Sequence, residues 1–131
     1  MSAIAEFNVH ANDATDREHQ VQLELLQKLC QAIDTGLNAS TVNELLGELI
    51  SYSEVHFMSE ELLMRMKSYD DYEEHQEDHF RMLDALRDIA ANNVAGRSAL
   101  MAGKAHEVLG FINQHIATRD KRLADYVRHN L

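Results

Sequence analysis

Residues 40–68 read STVNELLGELISYSEVHFMSEELLMRMKS, and the spacing inside this stretch decides the fold. Val42, Leu45, Leu46, Leu49, Ser53, His56, Glu60, Leu63 and Met64 recur with the period of an α-helix, so one face of a single long helix carries them all. Asn38 or Ser40 is placed to cap its start, and it should end between Met66 and Ser68. The chain has no proline and only five glycines, so its composition offers few interruptions to helices of this length.

The same period recurs on both sides. Upstream, from Asp16, the residues His19, Leu23, Leu26, Cys30 and Ile33 share a face, and Gly36 is suited to close that helix. Downstream, the acidic pair Asp70-Asp71 favours a helix start, after which Tyr72, His75, His79, Met82, Leu86 and Ile89 point one way. A turn is expected over residues 91–96. A fourth helix from about Arg97 then turns Met101, Ala105, Val108, Ile112 and His115 inward. The period weakens around Asp120, and Leu123, Tyr126 and Val127 mark a short final helix. Four long helices with short connections predict an all-α, antiparallel up-down-up-down four-helix bundle. It would have an N-terminal arm and a short C-terminal helix. One domain over 1–131 is expected, with the bundle at about 13–119 and a C-terminal extension at 120–131.

The 131 residues include 12 basic and 22 acidic side chains, a formal charge of −10 with all eight histidines neutral. That balance argues against nucleic acid and anionic membrane as partners, since both would repel it. Cys30 is the single cysteine, so disulfides do not hold the fold together. No apolar run reaches the roughly 18 residues of a membrane span, and no signal-peptide pattern opens the chain. The expectation is a soluble cytoplasmic protein. What stands out is histidine, with eight where an average chain of this length holds about three.

Five of the eight, His19, His56, His75, His79 and His115, fall on the inner faces of all four helices. His10 lies in the N-terminal lead, His129 at the C-terminal end, and His106 off the inner face. One histidine on an apolar face is ordinary core. Five in one core would leave many polar nitrogens without partners unless they share a purpose. His56 and Glu60 are four apart, as are His75 and His79, so each pair points the same way one turn apart. In an antiparallel bundle all six donors lie at the same end. Asp120 follows His115 by five, about 140° off that face on a continuous α-helix. It joins the cluster only if the helix bends or ends between Ala117 and Asp120, and is otherwise a solvated helix-end aspartate.

The set His19, His56-Phe57-Met58-Ser59-Glu60-Glu61, His75-x3-His79 and His115-Ile116-x3-Asp120 resembles the metal-ligand signature of hemerythrins, in the bacterial branch of that family. The resemblance runs from about residue 13 to 121 and includes Asp16-x2-His19 and Tyr69-x2-Tyr72. The chain departs in lacking the N-terminal tryptophan of many bacterial members and in a longer, more helical tail. The resemblance implies two iron ions per chain, bridged by Glu60, Asp120 and an oxide or hydroxide. His75, His79 and His115 would bind one iron, and His19 and His56 the other, which leaves an open coordination position on the two-histidine iron. It further implies a non-enzymatic role: reversible O2 binding there, for carriage, storage or delivery. Phe57, Ile112 and Ile116, beside these ligands, are the candidate lining of the oxygen pocket.

Other readings have features to answer for. A structural zinc needs four ligands, fewer than the candidates present. A ferritin-like site would use Glu-x-x-His pairs, and the chain has none. The alternative roles are an oxygen- or redox-sensing domain of a signalling protein, and a protein handling peroxide, nitric oxide or iron. The helical tail suits a protein partner or a junction to an output domain, while single-domain length favours a monomeric carrier.

Overall fold

The computed structural model describes the backbone of residues 3–96 and 98–129, and side chains over 17–96 and 99–129. Helix α1 spans Ala3–Asp34, α2 Ala39–Met66, α3 Tyr72–Val94 and α4 Ser98–His115. A π-helical turn, Ile116–Asp120, continues α4 directly into α5, Lys121–His129. Among the described residues none is in a strand. The four long helices close a ring in which α1 packs on α2 and α4, and α3 on the same two. This is the expected up-down-up-down bundle with its C-terminal helix.

Each connection has a local cause. After α1, the Leu37 N–H bonds the Ala32 carbonyl and the Gly36 N–H bonds that of Ile33, with Gly36 at φ 72°. This left-handed closure needs no side chain, which is why glycine sits there. Asn38 caps α2, its side-chain oxygen accepting from the Thr41 N–H at 2.9 Å. The end of α2 repeats the closure, with the Tyr69 N–H on the Met64 carbonyl and the Ser68 N–H on that of Arg65. Here the left-handed residue is Ser68, at φ 50°, and it bears a side chain in a conformation that disfavours one.

Helix bounds differ from the sequence expectation in two places. The first helix begins at Ala3, not Asp16, so the N-terminal arm is a helical extension of α1. Residues 3–15 contain neither proline nor glycine to stop a helix, although they lack a clear apolar stripe. The side chains of His10 and Asp16 lie outside the described residues. The third helix runs on through Asn92 and Asn93 to Val94, leaving a shorter turn than expected. Both amides are satisfied by packing, Asn92 on the Asp88 carbonyl at 3.0 Å and Asn93 on the Ala39 carbonyl at 2.9 Å, so the Asn-rich segment does not break the helix.

The main core fills the far end and middle of the bundle. Leu26, Leu29, Leu46, Leu49, Leu86, Ile89 and Ile112 are essentially inaccessible there. A smaller apolar cluster, Leu63, Met64, Tyr69, Leu123 and Val127, joins α5 to the α2–α3 connection. Between the two lies a buried polar layer.

Two substitutions probe this assembly by chemical denaturation. Leu86→Ala should lower unfolding free energy by about 2–5 kcal/mol, since its side chain is fully enclosed. Ser68→Gly should raise it by about 0.5–1 kcal/mol by removing left-handed strain, less the unfolded-state entropy that glycine adds.

Candidate metal centre

Helix geometry sets the donors of the polar layer in place. On α2, His56 and Glu60 are one turn apart, as are His75 and His79 on α3. His19 reaches in from α1, and His115 ends α4. Asp120 arrives by a different route. The Lys121 N–H reaches back five residues to the Ile116 carbonyl, so the chain turns less per residue than in an α-helix and Asp120 swings back toward the face of His115. Thr118 donates its hydroxyl to the Gln114 carbonyl at 2.7 Å, offering that acceptor a partner where the regular ladder is interrupted. The bend required of residues 117–120 is this π-turn, and Asp120 is buried within the cluster.

All seven expected residues converge. His19, His56, His75, His79, His115, Glu60 and Asp120 are each at most 5% exposed. Asp120 Oδ1 lies 2.9 Å from His75 Nε2 and 3.1 Å from His115 Nε2, while its Oδ2 lies 3.0 Å from His19 Nε2. Glu60 presents Oε1 to His79 Nε2 at 3.0 Å and Oε2 to His19 Nε2 at 3.1 Å. Each carboxylate therefore turns one oxygen to either side. Donor atoms fall into two groups compact enough to hold an ion. One comprises Glu60, His75, His79, His115 and Asp120, the other His19, His56 and Glu60, and Glu60 is common to both.

The donor set fits a cation. Nε2 of His56, His75, His79 and His115, with Glu60 Oε1 and Asp120 Oδ1, are buried and make no hydrogen bond in the structure. A single orphaned buried polar atom costs about 1–3 kcal/mol. Six that face one another are the arrangement an ion would satisfy. The opposite edges of three rings are already engaged: His56 Nδ1 lies 3.2 Å from Glu18, His79 Nδ1 3.2 Å from Glu61, and His115 Nδ1 3.0 Å from Asp78. A carboxylate there holds the proton on Nδ1 and aims the Nε2 lone pair inward.

Electrostatics of the cluster without an ion lead to the same conclusion. Burial alone would keep His19 neutral, yet Asp120 and Glu60 outweigh it and push its pKa up to about 10. His75 is raised in the same way to about 9, and His79 is raised against burial by Glu60 and Glu61. Burial and the nearby Glu60 push Asp120 up, but His115, His19 and His75 hold it at about 2. Glu60, against its complete burial, is held well below the carboxylate range by His19, His75 and His79. A metal ion would supply the same countercharge and compete with protons for these nitrogens.

Glu18 and Asp78 did not emerge from the sequence as site residues, and Glu61 stood in the quoted motif without a role. Each is next in the chain to a donor, but the histidine it serves is elsewhere: Glu18 of α1 serves α2, Asp78 of α3 serves α4, and Glu61 of α2 serves α3. Their signal was an acidic residue flanking an inward donor. Of the expected pocket residues, Phe57 lies flat on the His79 ring, with centroids 4.0 Å apart. Ile112 is buried a turn before His115, and Ile116, opening the π-turn, is half-buried against the main core. His106 is exposed and bonds Asp34 at 2.8 Å, and exposed His129 bonds the Asp125 carbonyl.

Comparisons with known proteins agree with this geometry. The family model described as the hemerythrin HHE cation binding domain matches residues 10–127. A bacteriohemerythrin of Methylococcus capsulatus (strain Bath) is 30% identical over 117 residues, 89% of this chain and 88% of the relative. Among solved structures there is no significant match. A family match over nearly the whole chain, with every donor of the signature gathered in one buried layer, means that this chain belongs to the hemerythrin family.

Proposed function

We propose that the chain binds two iron ions and, at that centre, O2 reversibly, as a carrier, store or source of oxygen rather than as an enzyme. His75, His79 and His115 hold one iron, and His19 and His56 the other. Glu60 and Asp120 would be shared between the two, with an oxide or hydroxide completing the pair. The observation that carries this reading is the pair of unequal donor groups, three histidines against two, with Glu60 common to both. The poorer group keeps a coordination position open to a ligand. When bound, the iron pair supplies the reversible two-electron couple that O2 binding needs.

The chain's own part is to bind, orient and exclude. Five neutral imidazoles and two carboxylates make a donor set less anionic than a carboxylate-rich oxygenase site, which favours holding oxygen over activating it. Phe57, Ile112 and Ile116 keep water and protons from the open position. Glu18, Glu61 and Asp78 hold the imidazole protons on the outer nitrogens. A second reading, oxygen or redox sensing, rests on one feature: α5 follows Asp120 without a break and packs on Leu63, Met64 and Tyr69. A shift of Asp120 would therefore move a surface that a partner or attached domain could read.

Metal analysis of protein loaded anaerobically with ferrous iron should give close to two irons per chain; preferential uptake of a single zinc would overturn the reading. Exposure of the reduced, loaded protein to air should produce a ligand-to-metal charge-transfer band that fades when oxygen is removed. Irreversible oxidation without that band would favour an iron-handling role. Ile116→Gln should shorten the lifetime of the oxygenated state several-fold in the same spectra, and an unchanged lifetime would remove Ile116 from the pocket.

A further inference from the structure

Arg119 sits inside the π-turn between the half-buried Ile116 and buried Asp120, yet its guanidinium turns away from them toward α3. Its Nε lies 2.5 Å from Asp78 Oδ2, and its Nη1 lies 3.1 Å from Asp71 Oδ2 and 3.4 Å from Oδ1. Asp78 is the carboxylate behind His115, at 3.0 Å from Nδ1. Asp71 stands at the N-cap position of α3 but does not cap it with its side chain; its carboxylate is instead shared between Arg119 and Arg122. A lone exposed ion pair contributes little. This one differs in that both aspartate side chains are only about one-eighth exposed and one planar fork grips both.

We infer that Arg119 is a positioning residue for the metal centre, locking the π-turn that delivers Asp120 to the start of α3 and neutralising the carboxylate behind His115. This rests on the reading of His115 and Asp120 as iron ligands. The lock follows from connectivity. A π-turn is a rare local state, and Arg119 ties this one both to the N-cap of α3, Asp71, and to Asp78 about two turns on. The neutralisation follows from charge. Glu61, behind His79, accepts from the neutral amide of Gln76 at 2.6 Å, and Glu18, behind His56, is a quarter exposed to water. Among the described residues, Asp78 is the one of the three gripped by a guanidinium at hydrogen-bond distance. Without Arg119, its full charge would bear on His115, draw the Nδ1 proton closer and favour ferric over ferrous iron.

The test uses the full chain loaded with Fe(II), chelator competition for iron retention, and a redox titration for the midpoint potential. Arg119→Gln should weaken retention about 10–100-fold, the usual scale for residues that orient metal ligands, and shift the midpoint to more negative values. Arg87→Gln, which breaks the exposed Arg87–Glu54 pair, should change neither beyond twofold. Arg119→Lys should restore the potential but only part of the retention, because one ammonium cannot hold both aspartates. In an Asp78→Asn background, Arg119→Gln should no longer move the potential. Retention and potential within twofold of native in Arg119→Gln, or an undiminished potential shift in the Asp78→Asn background, overturns the inference. Should Arg119→Gln fail to fold, Asp71→Asn cuts the anchor with Arg119 in place; it should lower retention and leave the potential, and unchanged retention counts against the lock. A native chain that takes up no iron would instead refute the iron reading itself.

Discussion

Two carboxylates buried within a helical bundle are the constraint on which the rest of the structure turns. Glu60 is fully enclosed and Asp120 nearly so, and an isolated buried carboxylate would be neutralised by a large upward shift in pKa. The opposite holds here, because imidazoles surround both. Five histidines, poor residues for an apolar core, are therefore what make those carboxylates tolerable, and the carboxylates do the same for the histidines. Removing one partner from such a network leaves its counterpart buried and uncompensated, so the layer stands or falls as a unit.

The cost of that layer shapes how the apolar material is distributed. Leu26, Leu29, Leu46, Leu49, Leu86 and Ile89 form a close-packed core away from the donors, supplying the burial that the polar layer does not. On the other side, α5 and Tyr69 close over the layer with a cluster of their own. Between these seals, Glu18, Glu61 and Asp78 lie at the boundary with solvent, where partial hydration makes a second ring of acids acceptable. The inner edges of the imidazoles are buried, while the outer edges of His56, His79 and His115 meet partly hydrated charge.

Much of this was legible in the chain because both the core and the donors follow one period. His56 and Glu60, or His75 and His79, can be placed on a shared face by counting, and antiparallel topology then brings all of them to one end. Counting fails where the backbone leaves the α-helix. Asp120 falls off the face by its spacing from His115, and nothing in residues 116–119 signals an i→i+5 turn by composition alone; the Lys121 to Ile116 bond appears only in three dimensions. Counting also fails across helices. Glu18, Asp78 and Arg119 act on partners fixed by how neighbouring helices are rotated, which no single-helix period contains. The extra turns of α1 were missed for a third reason, since residues 3–15 are permissive to helix without the apolar stripe by which helices are read.

The unequal split of the donors follows from the ring order of the helices. Glu60 belongs to α2 and Asp120 follows α4, helices on opposite corners of the bundle, each of which also turns one histidine into the layer, His56 and His115. The remaining corners differ: α3 contributes the pair His75 and His79, and α1 contributes His19 alone. Carboxylates from opposite corners meet near the bundle axis, so each can turn one oxygen toward α1 and the other toward α3, as their distances to His19 and to His75 and His79 record. That the two carboxylates face both halves of the layer is then a consequence of topology. The difference between the two halves comes down to one residue, because α3 has a second inward histidine one turn on, and α1 at the equivalent step turns in Leu23, half-buried, in place of a donor.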